Sequence, residues 1–255
     1  LYLYNSLSAA DFLGWGWRYP FFVAFAINVV ALFARLRLVL GEEYTEAMQE
    51  SELEPIRTSE MVREEGHNIF IGSFAALASY ALFHVVTIFP LSWIAFQGSQ
   101  TTAEVLTVQV LGGFVGIMAT IGSGWIAARI GKRTTVGALA AMIGVFSLLT
   151  PLLMGGTPVM QDTFILLGFA LLGVSYGQAS GTVTANFAPR FRYTGAALTS
   201  DFAWLFGAAF APLVALGLSA QFGLMSVTVY LLSAVICTLL ALTSTPSLAD
   251  QVAAT

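Results

Sequence analysis

The chain has 255 residues, 57% of them hydrophobic and only 9% charged, with a mean hydropathy of +0.82. A soluble domain is nearer half apolar and a quarter charged, so this composition excludes a water-soluble globule and marks an integral membrane protein. The net charge of −4 comes from one stretch, because nine of the fourteen acids (Glu42, Glu43, Glu46, Glu50, Glu52, Glu54, Glu60, Glu64, Glu65) fall between 41 and 66; that is no polyanion-binding signal, and no nucleic-acid partner is expected.

Leu1 reads as the middle of a longer polypeptide. From there, seven apolar runs follow at about 18–36, 68–96, 104–127, 134–154, 163–187, 194–219 and 223–243. Each approaches the roughly 20 residues that a helix needs to cross the hydrocarbon core. None has the period-2 alternation of a barrel strand, so the spans are helices. The expected divisions are an outer loop and first span at 1–40, an acidic cytoplasmic loop at 41–66, a six-span block at 67–244 and a cytoplasmic tail at 245–255. Short polar connections (QGSQTTAE, ARIGKRT, GGTPVMQD, APRFRYT, SAQFG) separate the six. Spans 68–154 and 163–243 form two triplets, the layout of inverted three-helix repeats. The expected fold is therefore an all-α membrane protein: a six-helix bundle of two inverted repeats, plus one preceding transmembrane helix.

Basic residues set the orientation. With the acidic loop in the cytoplasm, Arg35, Arg37, Arg57, Arg63, Arg129, Lys132, Arg133, Arg190 and Arg192 are all cytoplasmic, and only Arg18 lies outside. The chain then starts outside and ends inside the cell's inner membrane. Trp15, Trp17 and Trp93 are expected at the outer boundary and Trp125 at the inner one, as an aromatic belt.

Small residues at four-residue spacing mark contact faces between helices in lipid. The third span carries Gly112, Gly116, Thr120 and Gly124; the fifth Gly173, Gly177 and Gly181; the sixth Gly195, Thr199, Ala203, Gly207 and Ala211. They read either as static packing or as faces that slide during transport.

Ionisable groups inside a span cost roughly 2.5–3.5 kcal/mol at the helix centre and mark function. His84 lies mid-way along the second span, with Ser73, Tyr80 and Thr87 on its face and Pro90 placed to kink or break the outer end. It reads as a proton site or as a neutral imidazole bonded to a backbone carbonyl. Asp201 follows Gly195 by six residues. It reads either as a clamp for Arg192 or another loop arginine, or as a carboxylate facing a central cavity. Ser175, Gln178, Thr182 and Asn186 form a neutral polar face on the fifth span. Glu104 and Asp162 begin outer helices, where acids favour the dipole. There is no metal- or nucleotide-binding motif, no cofactor is expected, and lone Cys237 makes no disulfide framework. No catalytic grouping stands out, so an enzyme is not expected.

Gly124-Trp-Ile-Ala-Ala-Arg129-Ile-Gly131-Lys132-Arg133 resembles the cytoplasmic motif of the major facilitator superfamily, as repeated between its helices 8 and 9. Ala128 stands where members usually carry an aspartate. Gly14-Trp-Gly-Trp-Arg18-Tyr-Pro20-Phe resembles the opening of the sixth helix in the metabolite:proton symporter family. Arg192-Tyr193-Thr194-Gly195, with Pro212 seventeen residues on, resembles that family's eleventh-helix opening. The resemblance implies the C-terminal half of a transporter, completed by an N-terminal half that lies upstream. It also implies proton-coupled uptake of a small organic solute (an organic acid or a betaine-like osmolyte) by alternating access. Tyr80, His84, Gln178, Thr182 and Asp201 are then candidates to bind solute or protons. Gly124, Arg129, Gly131, Lys132, Arg133, Arg192 and Gly195 would form the cytoplasmic gate. A proton-driven exporter, a non-transporting sensor and a membrane-embedded enzyme are the alternatives.

Overall fold

The computed structural model describes residues 2–39, 58–184, 187, 191–207, 209 and 211–244, with the side chains of 35–39, 180–184, 192 and 212–214 excepted. Most of the acidic stretch, Arg57, Asn186, Arg190 and the tail lie outside them, as do the side chains of Arg35, Arg37, Thr182 and Arg192. Residues up to Ile56 and from Arg57 onward form two separate compact units.

In the first unit, α1 (Tyr2–Ser6) and α2 (Ala9–Gly14) are short, and a 3-10 turn over Gly16–Arg18 leads into α3 (Tyr19–Val39). Ser8 caps α2 by accepting from the Asp11 N–H at 3.2 Å. The Arg18 guanidinium lies 4.5 Å from the Trp17 ring centre, which joins cation and aromatic where a span begins. Gly16–Ala34 is apolar enough to cross a membrane.

In the second unit the regular structure of the described residues is all helix. Its helices are α4 (Thr58–Ala75), α5 (Leu77–Thr87), α6 (Phe89–Gln97), α7 (Thr102–Ile130), α8 (Lys132–Met154), α9 (Pro158–Thr184), α10 (Arg192–Gly207), α11 (Ala211–Phe222) and α12 (Met225–Ser244). Continuous apolar helix with every peptide group bonded inside the segment is the form that hydrocarbon permits. Five stretches of this unit and one of the first are long and apolar enough to span.

The expected second span is three helices in line, α4 to α6, and it starts at Thr58 rather than 68. Met61 and Ile69 are buried while Glu60 and Arg63 are exposed, so α4 opens as an amphipathic turn that hydropathy alone misses. The expected sixth span, 194–219, is also not one helix: it is divided into α10 and α11. Trp93 differs too. It is 6% exposed and stacks on Phe89 at 5.9 Å, so it packs in the protein core and not in an interfacial belt.

A side chain from another helix bonds the backbone at each of the three interruptions. At Ala76 the Thr238 hydroxyl of α12 accepts from the Ala78 N–H at 3.0 Å and donates to the Phe74 carbonyl at 2.9 Å. Those two groups would have bonded each other in an unbroken helix, so an inserted side chain causes this break. At Ile88 the ring of Pro90, near the start of α6, removes a donor. The donor lost is that of the Val86 carbonyl one turn back, and the neighbouring Thr87 carbonyl, at the end of α5, accepts from Gln109 Nε2 of α7 at 2.8 Å. After α10, the Tyr230 hydroxyl donates to the Gly207 carbonyl at 2.6 Å.

Close helix contacts follow the small residues. A Cβ on Gly173 would lie 2.9 Å from the Ala119 Cβ and nearer still to the Gly116 carbonyl, so α9 and α7 touch backbone to backbone. On the α7 stripe Gly112 meets the Phe169 ring, but Gly124 meets nothing within 4 Å; the expected stripe ends one turn early. Gly207 presses on Tyr80, Leu77 and Ala81 of α5, which brings α10 against the helix that carries His84. At the opposite end from Arg129, Gln161 is fully buried. Its Oε1 accepts from Ser99 and Gln100 at 3.0 Å each, and this pins the α6–α7 loop to α9.

Candidate functional site

The two broken stretches meet at one place. α5, bounded by breaks at both ends, contributes Tyr80, Phe83 and His84; α9 contributes Tyr176; α10, just before its own break, contributes Trp204. Tyr80 and Trp204 have ring centroids 5.0 Å apart, and Phe83 and Trp204 5.2 Å apart, both edge to face. Tyr176 lies 5.8 Å from Tyr80. His84 packs beside Phe83 at 5.3 Å and Trp204 at 6.1 Å. Edge-to-face packing lets each ring present a positive rim to a negative face, so the cluster is a stiff aromatic wall.

The polar groups on this wall are few. His84 is half-buried, and its Nδ1 is buried without a hydrogen-bond partner among the described residues. The Tyr80 hydroxyl lies within electrostatic reach of Ser200, Tyr176 and Asp201. Asp201 itself is exposed. Ser73 and Thr87, expected on the His84 face, spend their hydroxyls on the Ile69 and Phe83 carbonyls at 2.7 Å each.

Gln178 faces elsewhere. Its Nε2 donates to the Ser123 hydroxyl of α7 at 2.9 Å, so it belongs to the α7–α9 seam and not to the aromatic wall. Tyr80 and His84 thus stand on the wall, Asp201 lies within electrostatic reach of Tyr80, and the Gln178 amide is turned to Ser123. The expected Thr182 side chain lies outside the described residues. Phe83, Tyr176 and Trp204 were missed because aromatic rings do not stand out in an apolar run. Trp204 did carry a signal, since a tryptophan well inside a span departs from the interfacial habit of that residue.

The gate motif sits at the α7–α8 junction. Gly131 has φ +85°, a conformation that glycine takes at no steric cost, and it turns the chain between two long helices. The Arg129 guanidinium lies 3.8 Å over the Trp125 ring; Lys132 is exposed. Arg133 is half-buried and donates to the Leu242 carbonyl of α12. Arg192 opens α10, and one turn on, Gly195 lets the buried Phe187 ring close: a Cβ there would sit 2.7 Å from it.

Long apolar helices, three interruptions met by side chains of other helices, and a histidine whose buried Nδ1 has no hydrogen-bond partner among the described residues define a polytopic α-helical membrane protein of the kind that carries polar chemistry inside the bilayer. The family model of the major facilitator superfamily matches residues 6–212, and the chain belongs to that superfamily. It is 28% identical over 244 residues to the inner membrane metabolite transport protein YhjE of Escherichia coli K12, an alignment covering 92% of this chain and 55% of that protein. Two Haemophilus influenzae Rd proteins that carry metabolite-transport descriptions are each 29% identical. They cover 89% and 85% of this chain and 55% and 51% of their own lengths. The chain thus spans about half the length of the curated relatives it matches.

Proposed function

We propose that the chain is the C-terminal half of a proton-coupled symporter of the inner membrane, moving a small organic solute by alternating access. The N-terminal half of the same polypeptide would supply the facing wall. Superfamily membership and relatives described as metabolite transporters support the transport reading. One observation carries the coupling: His84, with an unpartnered buried Nδ1, stands in an aromatic wall where two discontinuous helices meet. Transporter folds place solute and coupling-ion sites at such interruptions, and a titratable imidazole there can hold a proton in one conformation and release it in the other.

In this reading Tyr80, Phe83, Tyr176 and Trp204 offer flat apolar contact, while His84 supplies charge that changes with protonation. That combination suits an organic acid or a betaine-like osmolyte. The Arg129–Arg133 turn lies on the cytoplasmic side, and the chain ends there. An entering proton gains about 2.3 kcal/mol per 100 mV, which accumulates solute only if both ligands favour the same conformation.

The test is uptake by the full polypeptide in proteoliposomes, with and without an imposed inward proton gradient, over a panel of carboxylates and trimethylammonium solutes. Gradient-driven accumulation is expected. His84→Gln is expected to keep solute counterflow and lose the response to the gradient. A wild-type protein indifferent to the gradient refutes symport; a His84→Gln protein with unchanged coupling removes His84 as the proton site.

A further inference from the structure

A groove of about 680 Å³ runs along α8 between α7 and α9. Ile126 and Ile130 of α7, Ala138, Met142 and Leu149 of α8, and Ala170 of α9 are among its walls. Thr135 is its one hydroxyl residue, and that hydroxyl is spent on the Gly131 carbonyl at 2.7 Å. The groove therefore offers a polar solute nothing to bond. Met142 and Leu149 are exposed along it, at 57% and 40%, so it opens outward from the three helices.

No charged residue lines the groove, but two cations flank one end of it in sequence. Ile126 and Ile130 bracket Arg129 in sequence, and Thr135 lies one turn beyond Lys132. Both cations are exposed, and Arg129 is steadied over Trp125. Arg133 turns the other way, to Leu242. Among the described residues, α7, α8 and α9 carry just two acids, Glu104 and Asp162. Both sit at the far ends of their helices, Glu104 about 38 Å along α7 from Arg129 at 1.5 Å per residue. Positive charge at the Arg129 end is therefore not offset from the groove's own walls. An apolar trough flanked at one end by two cations is complementary to one amphiphile: hydrocarbon chains bearing an anionic head.

We propose that this groove is a binding site for an anionic phospholipid of the leaflet that borders Arg129 and Lys132. An acyl chain lies along α8 between α7 and α9, and the phosphate rests on the two side chains. Basic clusters between membrane helices hold such headgroups, at about 1 kcal/mol per cation. A zwitterionic lipid offers the same chains without the net charge. The site is independent of the His84 wall and stands whether or not the protein couples to protons.

The experiment is native mass spectrometry of the full polypeptide, delipidated in detergent and titrated with phosphatidylglycerol or phosphatidylcholine of the same chains, or with glycerol phosphate alone. One phosphatidylglycerol per polypeptide is expected, held well above phosphatidylcholine, with no binding of glycerol phosphate. Arg129→Gln with Lys132→Gln should weaken phosphatidylglycerol about thirtyfold, two cations at about 1 kcal/mol each, and leave phosphatidylcholine unchanged. Arg18→Gln, in the other unit, should change neither. Ala141→Trp, which fills the groove, should remove both lipids; if it fails to fold, the charge pair and the Arg18 control decide alone. Equal retention of the two lipids, full phosphatidylglycerol binding by the charge-pair variant, or lipid-free dimers joined through this face would overturn the proposal.

Discussion

Thr238 is the sharpest test of how the interrupted helices are held. Its hydroxyl stands between the Phe74 carbonyl and the Ala78 N–H, at 2.9 and 3.0 Å, and Thr238 itself is 1% exposed. Thr238→Val keeps the shape and removes both bonds, leaving a buried donor and acceptor that would each cost about 1–3 kcal/mol if unpaired. The helix can recover part of that by closing the direct bond between the two groups. Measured hydrogen bonds between membrane helices average about 0.6 and reach about 1.7 kcal/mol. The net loss expected is therefore about 1–2 kcal/mol, with Thr238→Ser close to wild type because the hydroxyl survives. Equilibrium unfolding of the purified polypeptide in mixed micelles, titrated with a denaturing detergent, reads the difference directly. A valine variant as stable as wild type, or a serine variant as damaged as the valine one, would refute the inserted-hydroxyl account of the break.

Tyr230→Phe removes the cap on the Gly207 carbonyl and is expected to cost about 1 kcal/mol in the same unfolding assay, with the fold otherwise kept. Gly173→Ala should lower stability by about 1–3 kcal/mol, because its new methyl meets Ala119 and the Gly116 backbone. Gly113→Ala, on α7 but off the seam, is the control: nothing lies within 4 Å of its Cβ position, so an equal loss there would discredit the close-packing argument.

The spans were legible because hydrocarbon demands a minimum run of apolar residues. α7, α8 and α12 lie within a few residues of their expected limits. The breaks were legible only where their cause is local. Pro90 announces the interruption two residues before it. Nothing near Ala76 announces one, since the cause is a hydroxyl 160 residues downstream of Ala78. The facing of a residue was equally hidden: Trp93 has the depth of a belt tryptophan but turns inward. In the site, Tyr80 and His84 declared themselves by polarity on a greasy helix. Gln178 declared itself the same way and serves a different seam, because its partner Ser123 is fixed by the Gly173 and Gly177 contacts, which only the packed pair of helices reveals.

The caps bear on what α5 can do. This eleven-residue helix carries Tyr80, Phe83 and His84 between two breaks. Its first turn is tied to α12 through Thr238, and its last carbonyl to α7 through Gln109. A helix broken without caps would strand peptide groups that hydrocarbon does not tolerate; an unbroken one would need no tie and could reorient only as part of a far longer rod. The arrangement lies between those limits. Swinging α5 off both anchors exchanges neutral hydrogen bonds worth about 0.5–1.5 kcal/mol each. The two together come to about 1–3 kcal/mol, which brackets the roughly 2.3 kcal/mol that one proton gains across 100 mV. A salt-bridged anchor buried at the same depth would cost about 3–5 kcal/mol to break, beyond what a single proton returns. If the protein is proton-coupled as proposed, neutral caps at both ends of the histidine-bearing segment are what a device driven by one charge at a time requires, and acid–base pairs in the places of Thr238 and Gln109 would lock it.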